Sequence, residues 1–94
     1  MQIRIEPEQL AEISSGLKER GEEFRSLVEQ MKTLIGKIPE AWAGQSAEAY
    51  VGQFEELQPG FNQVEELIQT IGIQIDQVVA AAQELDAEIA SKLQ

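Results

Sequence analysis

The chain has 94 residues, one small domain's worth, with 17 acidic and 7 basic side chains and a net charge of −10. That balance works against nucleic acid and anionic membrane, which are bound through Lys/Arg clusters. The absence of Cys and His removes disulfides, thiolate chemistry, the usual zinc sites and His-based proton transfer.

The N-terminal stretch MQIRIEPEQL lacks the apolar core of a Sec signal peptide. Pro7 suits a first helical turn, where its missing N–H costs nothing. Glu6 and Glu8 favour the same end through the helix dipole. From there Leu10, Leu17, Phe24, Met31 and Ile38 recur every seven residues, interleaved with Ile13, Arg20, Leu27 and Leu34. This is a heptad seam, interrupted only by Arg20. The Arg20 head is expected to reach past Val64 to Glu65 or to a partner carboxylate. Pro39 ends the helix near residue 38 by pushing Ile38 from the helical region.

Residues 39–45 read as a bend holding Trp42, the only tryptophan of the chain. Ser46 is the expected N-cap of a second helix. Ala47, Phe54, Phe61, Ile68, Ile75, Ala82 and Ile89 form one seven-residue series there, and Tyr50, Leu57, Val64, Ile71, Val78 and Leu85 the other. The phase passes unbroken through Pro59-Gly60, which predicts one helix bent at the proline. The expected layout is a single domain over 1–94, with helix 1 at about 7–38 and helix 2 at about 46–90. Folding back at Trp42 sets Phe24 near Phe61 and leaves the residues after about 77 without a partner in their own chain.

Two helices bury only a thin seam, and small domains are already marginal. A second surface on helix 1 (Ser14, Gly21, Val28, Ile35) therefore predicts an all-α antiparallel hairpin that dimerises into a four-helix bundle. The expected dimer interface is Gly16, Gly21, Phe24 and Val28. The glycines read either as close-approach sites or as simple tolerance. Charge is uneven: residues 1–38 hold six basic and seven acidic groups, and residues 39–94 hold Lys92 against ten acids. The two halves are either complementary helix flanks or an acidic face for a basic partner. The carboxylate pairs Glu55-Glu56 and Glu65-Glu66 point in different directions on a helix. No catalytic residue, metal ligand or cofactor motif is present, so no enzyme is expected.

The length, the two heptad-patterned helices, the IEPEQL start and Trp42-Ala43-Gly44 at the central bend resemble the WXG100 family, the early secreted antigen-like proteins. The resemblance covers the whole chain. It implies a dimeric, virulence-associated protein exported without a cleaved signal peptide by a type VII (ESX/Ess-like) secretion system, cytoplasmic before export. Implied partners are a second copy, the secretion-system ATPase, and a related WXG-type or toxin chain. In the family the Trp-x-Gly bend lines a groove with the partner's second helix. The alternative for Trp42 is a plug at the hairpin end.

The family's export signal often reads Tyr-x-x-x-Asp/Glu. Here Asp86 is the acid that fits, and Ala82 stands in the tyrosine slot. The broader form fits Ala82, Asp86, Ile89 and Leu93 on one helical face; otherwise Ile89 and Leu93 continue the heptad onto a partner. The runner-up function is a cytosolic adaptor that pairs with the helical N-terminal domain of a larger type VII toxin. A third is an intracellular coiled-coil scaffold.

Overall fold

The computed structural model describes residues 4–93. Three helices follow in order: α1 (Pro7–Gly36), α2 (Ile38–Ala41) and α3 (Gln45–Lys92). The start of α1 is at Pro7, where the Glu6 carbonyl accepts the first helical bond from the Leu10 N–H at 3.0 Å. No described helix is long and apolar enough to cross a membrane.

The boundaries differ from expectation in two places. The first helix stops at Gly36 rather than near residue 38, and Pro39 does not open a loop. It stands in the first turn of α2, where its missing N–H has no helical acceptor to lose. Ser46 is not the cap of the last helix, which already begins at Gln45. The Gly44 carbonyl accepts from the Glu48 N–H at 3.3 Å and so fills the capping position through its backbone. Pro59 lies within α3 without ending it.

The packing divides into two units. The first comprises residues 4–20 and 68–93, the second residues 21–67. In the second, Val28 and Ala47 are buried, Gly21 with them. Around them Phe24 meets Phe61 edge-on at 6.2 Å, and Phe54 meets Phe61 at 5.7 Å, an aromatic cluster at favourable centroid spacings. Phe24 therefore faces Phe61 as the heptad count predicts. Arg25 Nε donates to Glu65 Oε1 at 2.8 Å, so Glu65 has Arg25 as its cation. Arg20, expected to reach Glu65, has its guanidinium 4.0 Å from Glu19.

In the first unit Ser14 is the innermost side chain, 1% exposed. Its Oγ lies 2.9 Å from the Gly72 carbonyl oxygen and 2.5 Å from Asp76 Oδ1, so one proton serves two acceptors. Lys18 Nζ donates to Asp76 Oδ2 at 2.5 Å. Gln69 Nε2 donates to the Lys18 carbonyl at 3.2 Å. Gly72 is the close-approach glycine: a Cβ there would lie 3.2 Å from Lys18 Cγ. Hydrogen bonds from Lys18 and then Ser14 hold the Asp76 carboxyl below the usual carboxylate range. A carboxylate depressed in the folded state stabilises above its unfolded pKa, and the contribution fades as pH falls through the folded value. Asp76→Asn should therefore be less stable than the native chain at neutral pH, and thermal melts of the two should converge below about pH 4. A constant gap between the melts across that range would show that the ionised form is not what stabilises.

The interior seam also differs from the one expected. The Leu10 series is half-buried or partly covered, but its inward companion is Ser14, Gly21, Val28 and Ile35 rather than Ile13, Leu27 and Leu34. On α3 the Ala47 series is paired with Val51, Gln58, Glu65, Gly72 and Val79. The second unit leaves Leu27, Leu34, Tyr50, Leu57 and Val64 exposed, and the first leaves Ile13, Ile71, Val78 and Leu85 exposed. Small side chains face inward because helix backbones approach closely only where little side-chain volume intervenes. The rows of Ile13 and Tyr50 stay outside.

Candidate functional site

Three features carry the functional reading: the bend, the exposed apolar rows, and the end of α3. At the bend, the Trp42 N–H closes α2 by donating to the Ile38 carbonyl at 2.8 Å. Its backbone is extended, with φ −146 and ψ 106. The indole stacks at a tilt on Tyr50, centroids 5.6 Å apart, and remains 46% exposed. Trp42 is therefore a surface platform backed by Tyr50. Tyr50 was legible only as a seam residue; its spacing of eight from Trp42 matches no helical contact rule, because the chain leaves the helix between them.

Gly44 has a φ of 138. L side chains rarely adopt that conformation, and strain of this kind costs on the order of 1–3 kcal/mol. No neighbour lies within 4 Å of where its Cβ would stand, so backbone freedom, and not space, requires glycine.

Three of the four residues expected at a dimer interface make contacts within the single chain. Gly21 and Val28 are buried within their own unit, and Phe24 packs on Phe61. Gly21 and Val28 thus serve the chain's own interior, while Phe24 is half-buried in the single chain. Gly16 has nothing within 4 Å of its Cβ position, so it marks no close approach inside the chain.

Near the end of α3, Ala82 is half-buried, and every described residue from Gln83 to Leu93 is exposed. Asp86, Ile89 and Leu93 lie among them, and the Leu93 N–H bonds the Ile89 carbonyl at 3.2 Å, which preserves the helical spacing. The Ser14–Lys18–Asp76 cluster was missed from sequence. Its signal is a pair of four-residue spacings, Ser14 to Lys18 and Gly72 to Asp76, each placing two residues on one helical face. Among the described residues no group of three or more His, Cys, Asp and Glu could hold a metal ion.

These features define a class: small all-helical hairpin proteins whose bend carries Trp-x-Gly. The chain matches the family model described as "WXG100: Proteins of 100 residues with WXG" over residues 2–87, and it belongs to that family. It is 29% identical over 91 residues to protein YukE of Bacillus subtilis, covering 97% of this chain and 94% of that one. It is 24% identical to type VII secretion system extracellular protein A of Staphylococcus aureus, over 95% of this chain and 92% of the relative. The fold is that of Geobacillus thermodenitrificans EsxA, with a TM-score of 0.84 and 24% identity over 95% and 98% of the two chains. It is likewise that of the secreted protein EsxB from Bacillus anthracis, with a TM-score of 0.80 and 21% identity over 92% and 98%.

Proposed function

We propose that this chain is a non-enzymatic protein exported by a type VII secretion system as a homodimer, a substrate that also assists the export of other chains. The observation that carries the reading is the exposed apolar rows. Tyr50, Leu57, Val64, Ile71, Val78 and Leu85 recur every seven residues on α3, and all are exposed in the single chain. The accessible surface is 7610 Å² for a 10.4 kDa chain, against about 5,400 Å² for a typical folded monomer of that mass. Apolar surface in such a regular row is what a second helical hairpin covers, and two-fold homodimers are the commonest assembly. Family membership and the extracellular relative in Staphylococcus aureus support export. The absence of His and Cys supports a protein that acts by contact rather than by chemistry.

The export signal is assigned to Ala82, Asp86, Ile89 and Leu93, recognised by the secretion ATPase, with Trp42 and Gly44 forming the companion feature at the bend. Asp86 offers a charge to an N–H-rich or basic pocket, and Ile89 an apolar anchor beside it. The same exposed row would also receive the helical start of a toxin, and alanine in the tyrosine slot is the one observation on the side of that adaptor reading. The test is fractionation of cells with and without the ATPase. The native chain should reach the medium only when the ATPase is present. Asp86→Ala with Ile89→Ala should stay in the cells while its melting temperature falls by only a few degrees, because both residues are exposed. Normal export of this variant would place the signal elsewhere. Retention of the native chain despite a working ATPase would favour the adaptor.

A further inference from the structure

The apolar residues of the first unit do not choose their own register. Within that unit the half-buried series reads Ile68, Ile75 and Ala82 along α3, and Leu10 and Leu17 along α1. A slide of one helix past the other by seven residues replaces apolar with apolar, a change that cores tolerate when volume is roughly kept. The polar residues do not repeat in this way. A seven-residue slide brings Glu65 or Val79 to the place of Gly72, where even a Cβ would stand 3.2 Å from Lys18 Cγ. The same slide brings Gln69 or Gln83 to the place of Asp76 and leaves Lys18 without a carboxylate and Ser14 facing an amide.

We propose that Ser14, Lys18, Gly72 and Asp76 form a register lock, which permits one alignment of α3 on α1 in the first unit and excludes the heptad-shifted alternatives. Ser14 is 1% exposed, and in this alignment its hydroxyl is held by both the Gly72 carbonyl and the Asp76 carboxylate. A buried polar group left without its partner costs more than its bond returns, and a single polar residue in a heptad seam is an attested way to specify register. The lock matters to the exposed rows as well. Register decides which large residues of α1 and α3 stand side by side, and so which surface is offered to a second chain.

The chain has no cysteine, so Ser15→Cys and Gln83→Cys, both at exposed positions of the first unit, accept spin labels without competition. Distances are read by pulsed electron resonance in the full chain, diluted with unlabelled chain so that only intrachain pairs count. The otherwise native protein should give one narrow distance. Ser14→Val with Asp76→Leu should remain helical and add a second population, because a seven-residue slide moves one label about 10 Å along the helix relative to the other. Asp76→Asn, which keeps an acceptor for Ser14, should retain the single distance. If the double variant loses helicity, the milder Asp76→Leu is read in the same way. A single unshifted distance in whichever of the two remains helical overturns the proposal, whatever its melting temperature; so does a split in Asp76→Asn equal to that in Asp76→Leu.

Discussion

Phe61→Ala is expected to lower the melting temperature by about 10–20 °C. Phe61 is the hinge of the aromatic cluster, touching Phe24 on one side and Phe54 on the other. Truncating a fully buried Phe costs about 3–5 kcal/mol. Phe61 is half-buried, so roughly 2–3 kcal/mol is the appropriate scale, part of it from ring contacts worth about 0.5–1.5 kcal/mol per pair. In a domain of this size each kcal/mol moves the midpoint by about 4–8 °C. Phe61→Leu keeps apolar volume and loses the ring edges, so its shift should be less than half as large. Melts are compared at one protein concentration, since association raises apparent stability. A shift under about 5 °C for the alanine variant would mean that the second unit does not depend on its aromatic cluster.

The second large effect is on assembly. With the proposed dimer formed through the exposed α3 row, the native chain should sediment as a dimer and Leu57→Glu with Val64→Glu as a monomer at the same concentration. Both residues are exposed in the single chain and seven apart on α3, so the substitutions leave the interior untouched. A carboxylate forced against an apolar partner surface without a cation costs several kcal/mol. Two of them should weaken association by about a thousandfold or more, which corresponds to about 4 kcal/mol. Sedimentation together with circular dichroism checks the expectation. Gly21→Leu provides the contrast. Gly21 is buried within the second unit, so extra volume there should cost about 1–3 kcal/mol of the chain's own stability and lower the melting temperature without first producing folded monomer. If the Leu57/Val64 variant stays dimeric while Gly21→Leu gives folded monomer, the partner surface is the glycine face after all.

Much of the molecule was legible in the sequence because its causes are local. Pro7 and Glu6 mark the start of α1 through dipole and capping rules that need no tertiary partner. The seven-residue recurrence from Ala47 to Ile89 carries α3 through Pro59, since continuity of phase outweighs one missing N–H. Gly44 was legible only as part of the Trp42-Ala43-Gly44 bend, and its φ of 138 supplies the backbone reason for glycine there. The loop between the helices was legible only in part. Pro39 is equally suited to following a helix and to starting one, and the choice fell to the first turn of α2.

What the sequence by itself determined is that both helices exist, roughly where they turn, and that each carries apolar residues in heptad phase. It did not determine which rows face inward. The Leu10 series has neighbours three residues ahead, Ile13, Leu27 and Leu34, and four ahead, Ser14, Gly21 and Val28, and both spacings satisfy a heptad equally. Hydropathy favours the first set. Tertiary structure chose the second; in the first unit Gly72 leaves room for the Lys18 side chain, and Ser14 finds the Gly72 carbonyl and Asp76 as acceptors on the facing helix. Apolar character ranks how strongly a residue seeks cover; backbone separation decides which residues the chain itself covers, and that quantity exists only once the two helices have met.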